Sequence, residues 1–173
     1  MTLCTWLREF QTLIVGMFGF AGVIFTLWFN ARQARLQRRD ERRHECQTLR
    51  AALIEELSIN RRSLVSNIER IENTPDDTSG YAVPTDPMDD AYRAFTHRIG
   101  LLTRAEVSKV MFAYLSLRTY HASLFLLGVP TQGGGRHVKV SGKNAQMLSG
   151  GLKNLLGPIE QAIAVLERAR DDG

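Results

Sequence analysis

From Leu13 to Phe29 the chain carries no Asp, Glu, Lys, Arg, Asn, Gln or His, and Thr26 is the only hydroxyl in the run. Phe10 extends the apolar reach to twenty positions, interrupted only by Gln11 and Thr12. At about 1.5 Å of rise per residue, such a helix covers about 30 Å, the hydrocarbon thickness of a bilayer. A helix buried in a water-soluble domain would show a polar stripe, and this one has none. A cleaved signal needs a small-residue site after its apolar region. Phe29, Asn30 and Arg32 around Ala31 make a poor one. The stretch therefore reads as a transmembrane helix over about 10–29, within an anchor formed by residues 1–30.

The flanks set an orientation. Arg8, beside Glu9, is the only basic residue before the span, whereas Arg32, Arg35, Arg38, Arg39, Arg42 and Arg43 follow it closely. Basic residues near a span stay on the cytoplasmic side. The expectation is a bacterial inner-membrane protein of single-pass topology, N-terminus outside, with the rest of the chain in the cytoplasm. Trp6 and Trp28 stand near the two ends of the span, where an amphipathic ring prefers the headgroup layer.

Arg32, Arg35, Arg39 and Arg42 share one helical face. Beside a bilayer with anionic headgroups such a face gains about 1 kcal/mol per residue that feels the surface potential. The plainer reading is a topology signal on a solvated face. Nucleic acid is a poor fit, because no aromatic residues interleave with the arginines and no binding module is present. The net charge of +4 comes largely from this cluster.

Within the span, Gly19, Gly22 and Thr26 form a stripe of small side chains at i, i+3 and i+7. Small stripes let helices approach closely in lipid, so the stripe suggests transmembrane self-association. Its plain alternative is that glycine is common in spans.

Residues 31–73, without Pro or Gly, read as an arginine-rich exit and a long amphipathic helix. Cys46, Leu49, Leu53, Leu57, Leu64, Ile68 and Ile71, with Asn60 in the gap, make one continuous seam. The seam has two possible partners: a second copy in a coiled coil, with Asn60 setting register, or the later helices of the same chain.

Residues 74–87 are loop by composition, and 88–173 complete a cytoplasmic helical bundle. A short helix starts near Pro87 with Asp86 as its N-cap, and Gly100 stops it. Thr103 and Glu106 form a capping box for a helix from Arg104 to about Leu127, apolar on most of its circumference and expected to be central. Residues 128–143 read as a glycine-rich connector. They fail the phosphate-loop pattern, since His137 stands where glycine is required and Asn144 where Ser or Thr is. "RHVKVS" alternates, but no second strand is evident to pair with it. The last helix spans about 144–169, weakened at Gly150 and Gly151 and kinked at Gly157–Pro158. The fold class is all-α: a transmembrane helix continuing into a long amphipathic helix, packed with further helices as a small bundle.

The pattern "LRAALIEELSINRRSL" followed by "AYRAFTHRIGLLTRAEVSKVMFAYLSLR", with Tyr92, Ile99, Gly100, Leu101, Glu106, Val107, Val110 and Tyr114 at its fixed positions, is similar to small uncharacterised bacterial single-pass membrane proteins with a cytoplasmic helical domain. The resemblance covers the chain to about residue 125. It implies a fold and a location, and no catalytic residues.

No catalytic constellation, metal spacing or cofactor motif stands out. His44 and Cys46 are two apart and point to different helix faces. Cys4 and Cys46 fall on opposite sides of the membrane in this reading. Three functions remain in play. The first is a membrane-anchored interaction or scaffold module, self-associating or holding a protein partner. The second is a self-assembling membrane effector or phage-defence or lysis accessory. The third is an enzyme using His97 with the acidic residues Asp76, Asp77, Asp89 and Asp90.

Overall fold

The computed structural model describes residues 3–73, 81–84, 87–130, 137–141 and 144–171. Helix α1 runs unbroken from Leu3 to Asn73. Strand β1 (Tyr81–Pro84), helix α2 (Asp90–Phe95) and a 3₁₀ turn (Thr96–Leu101) follow. Helix α3 (Arg104–Leu127), strands β2 (Gly128–Pro130) and β3 (His137–Val140) and helix α4 (Ala145–Asp171) complete the order. The helices pack as an all-α bundle, as the apolar periodicities predict. By its contacts the chain divides into Met1–His44 and Glu45–Gly173.

In the first unit α1 is long and apolar enough to cross a membrane. Every described side chain from 15 to 44 is exposed.

The second unit holds the core. Leu49, Leu53, Leu57, Leu64, Ile68 and Ile71 of α1 are buried with Val110, Ala113, Tyr114, Leu117 and Leu124 of α3 and Leu148, Leu152, Leu155, Ile159, Ala162 and Leu166 of α4. The α1 seam is thus covered by helices of the same chain. The α3 helix is less enclosed than its apolar circumference suggests: Met111, Phe112 and Leu115 project outward. Its capping box is present, with the Thr103 hydroxyl accepting from the Glu106 N–H and the Glu106 carboxylate accepting from the Thr103 N–H.

The alternating segment near 137–140 does find partners. β3 pairs antiparallel with β1 (Tyr81 opposite Val140, Val83 opposite Val138) and with β2 (Gly128 opposite Val140, Pro130 opposite Val138). The order is β1-β3-β2, so β1 and β2 are both edges. That placement suits Pro84 and Pro130, which have no N–H to give a central strand. Tyr81, Val83, Val138 and Val140 are buried while Ala82, His137 and Lys139 face out, the period-two pattern of a half-buried sheet. The partners went unread because "YAVP" and "GVP" are too short and too rich in Gly and Pro to signal a strand. Gly128 is needed for close approach: a Cβ there would strike the Lys139 carbonyl and the Val138 side chain.

The loops expected at 74–87 and 128–143 are therefore partly sheet. Their remaining residues, 74–80, 85–86, 131–136 and 142–143, lie outside the described residues. So do Asp76, Asp77 and Asp86; Asp86 is not the N-cap, because α2 starts at Asp90 with Asp89 in that position.

In α4, Gly151 accommodates the Tyr120 ring of α3, since a Cβ at that position would come within 2.8 Å of the ring. The helix continues through Pro158 without a break.

Candidate functional site

Two constellations stand out, one in each unit. In the first, the glycines of the apolar run have open space beside them: a Cβ at Gly16, Gly19 or Gly22 would meet nothing within 4 Å. The Thr26 hydroxyl donates to the Gly22 carbonyl at 2.9 Å, turning its polar group inward along its own helix. At the end of the run Phe25 lies against Trp28 and Phe29, with ring centroids 6.3 and 6.5 Å apart. The Arg32 guanidinium sits 5.7 Å from the centre of the Trp28 ring, a cation–π contact. Arg32, Arg35, Arg38, Arg39, Arg42 and Arg43 are all exposed on continuous helix.

In the second unit, polar side chains are drawn into the core around Glu56. Glu56 is buried on α1, and its carboxylate accepts from the Tyr114 hydroxyl (2.5 Å), the Ala91 N–H (2.5 Å) and the Tyr92 N–H (3.1 Å). The last two are first-turn donors of α2, which a helix cannot satisfy internally. Asp89, at the N-cap position, makes no side-chain cap bond and pairs with Arg93 at 2.9 Å. The cap of α2 is thus supplied by Glu56, distant in sequence, rather than by a local residue. The rings of Tyr92 and Tyr114 stack with centroids 4.2 Å apart.

One turn along α1 from Glu56, Asn60 holds the Met88 backbone from both sides. Its amide nitrogen donates to the Met88 carbonyl at 2.7 Å, and its amide oxygen accepts from the Met88 N–H at 3.1 Å. Asn60 is therefore occupied within its own chain. One turn and a half before Glu56, Arg50 meets Glu106 of the α3 capping box at 2.7 Å.

Protonation follows from these contacts. Burial by itself would raise the Glu106 carboxyl. The Arg50 hydrogen bond, the Thr103 N–H and hydroxyl and the Arg50 charge together outweigh it and hold Glu106 below its ordinary value. Burial, followed by the Glu56 hydrogen bond, pushes the Tyr114 hydroxyl far above its ordinary value. Burial does the same to Tyr120. Glu56, Asn60 and Glu106 each direct their bonds at groups of the same chain, and the network fastens α2 and α3 to α1.

The exposed His97 accepts from Arg98 at 3.2 Å. The Cys46 thiol, half buried, donates to the Leu101 carbonyl at 3.4 Å. Among the described residues no group of three His, Cys, Asp or Glu side chains could hold a metal ion. The Glu56 network escaped the sequence reading, which sets Glu56 off the seam with the other charges of α1; the structure buries it beside Asn60, one turn away on the same face. Comparison with protein-family models, with curated proteins and with solved structures gives no match.

Proposed function

We propose that the chain is a membrane-anchored helical interaction module at the cytoplasmic face of the bacterial inner membrane, N-terminus outside, that self-associates or holds a protein partner there. The observation that carries this reading is α1 itself. Its apolar stretch is exposed on every side from Val15 to Phe29, which is unfavourable in water by about 25 cal/mol per Å² of apolar surface and favourable in lipid. The arginines after it set the orientation. The open stripe of Gly19, Gly22 and Thr26 supplies a face for a second span. A separate helical domain with its own core then stands in the cytoplasm, its seam satisfied in cis.

The test is fractionation and cross-linking of the full chain. It is expected to pellet with membranes and to resist alkaline carbonate. Cross-linking in the membrane should give dimers that Gly19→Ile with Gly22→Ile abolishes. Extraction by carbonate would remove the anchor from this reading; a carbonate-resistant monomer with no captured protein would remove the interaction role.

A further inference from the structure

The arginines continue one row of the apolar residues before them along one side of α1. At about 100° per residue, all six arginines from Arg32 to Arg43 lie within an arc of about 140°. Asp40 and Glu41, the acids among them, lie about 60° outside its two edges. Trp28 projects near the middle of that arc, which is why Arg32 reaches its ring. Met17, Phe20, Ala21, Ile24, Phe25 and Trp28 line an open apolar groove on the helix surface, and by the same angular count all six fall within the arc. Ala21 is its floor. From Met17 to Trp28 the groove is about 16 Å long, close to the roughly 15 Å hydrocarbon depth of one leaflet.

We propose that this face binds one anionic phospholipid of the leaflet on the arginine side, with preference for a headgroup carrying more than one phosphate. This rests on the membrane-anchor reading above. An acyl chain lies along the groove over Ala21, and the headgroup phosphates take the guanidiniums of Arg32, Arg35 and Arg39. All six basic residues of the cluster are arginine and none is lysine. A guanidinium offers a planar fork of donors that matches two phosphate oxygens. The preference follows from charge density. A singly charged lipid leaves neighbouring guanidiniums uncompensated, whereas a lipid with two phosphates engages several of them for one ordering cost. The apolar half of the face distinguishes lipid from nucleic acid, which would use the arginines and leave the groove empty.

Native mass spectrometry of the full chain in detergent micelles provides the test, with cardiolipin and phosphatidylglycerol as probes at equal total charge. One cardiolipin is expected to stay bound to each chain. Replacing Arg32, Arg35, Arg39 and Arg42 with Gln should lower its retention more than about ten-fold. Ala21→Trp, which fills the groove without changing charge, should lower it as well. A control with the same charge change at Arg62, Arg104, Arg118 and Arg168 should retain it. Equal retention by the four-arginine variant, equal retention of the two lipids, or tighter binding of a DNA duplex at matched phosphate would overturn the site. A carbonate-resistant wild-type chain without lipid preference sinks this inference alone; a carbonate-extractable one sinks the anchor with it.

Discussion

Arg50 and Glu106 meet in a two-pronged ion pair, Nε to Oε1 at 2.7 Å and Nη2 to Oε2 at 3.3 Å. The remaining Arg50 nitrogen, Nη1, donates to the Ala169 carbonyl at 3.0 Å. One side chain of α1 therefore ties together the start of α3 and the end of α4. Arg50→Met leaves the Glu106 charge buried without its partner and is expected to cost roughly 3 kcal/mol. Arg50→Met with Glu106→Met should recover most of that loss. Urea titration of the full chain in mild detergent, followed by hydrogen exchange of α3, measures both.

The same pair gives a pH dependence of known sign. Glu106 is held below its ordinary value of 4.5, so its folded state binds fewer protons than its unfolded state. Its contribution is fully present above 4.5 and is lost as pH falls through the folded value. The stability gap between wild type and Glu106→Gln should accordingly narrow in acid. A gap that widened there would contradict the assignment.

Tyr114→Phe removes one of the three donors to Glu56 and should cost about 1–2 kcal/mol. Glu56→Leu strips the acceptor from the Ala91 and Tyr92 N–H groups as well. Amide exchange at those two positions should accelerate ahead of the rest of the domain. In alkali, Tyr114 and Tyr120 should stay protonated until the fold is lost, because both are pushed above the ordinary tyrosine value. Ultraviolet titration should then show the same first-phase amplitude in Tyr114→Phe as in wild type.

Two adjacent glycines are expected to respond in opposite directions. A Cβ at Gly150 would meet nothing within 4 Å, and one at Gly151 would press on the Tyr120 ring. Gly150→Ala should stabilise by about 0.5–1 kcal/mol through helix propensity, and Gly151→Ala should destabilise by about 1–2 kcal/mol through overpacking. Thermal unfolding of the two variants checks the contrast.

Where a feature was local and periodic, it was legible in the sequence. The seam from Leu49 to Ile71 follows from spacing alone, and the Thr103–Glu106 box from a four-residue motif. What escaped depends on distant partners. The Glu56 cap of α2 joins residues 35 and 36 positions apart. β3 needs edge strands that its own alternation cannot reveal. Residues 128–130, read as loop, become strand because Gly128 lets the backbone of β3 come close. On α3, apolar residues all round suggested a central helix, yet Met111, Phe112 and Leu115 face outward. Composition reports how apolar a helix is and is silent on how many neighbours it has.

The central claim is that residues 10–29 cross the membrane with the C-terminal domain in the cytoplasm, and thiol labelling of intact spheroplasts tests it most directly. Cys46 is a poor reporter, because its thiol is half buried against the Leu101 carbonyl. The exposed position Arg168 serves better, as Arg168→Cys in a Cys46→Ala chain. A membrane-impermeant maleimide should label Cys4 in intact spheroplasts and reach position 168 only after lysis. Labelling at position 168 before lysis would contradict the account.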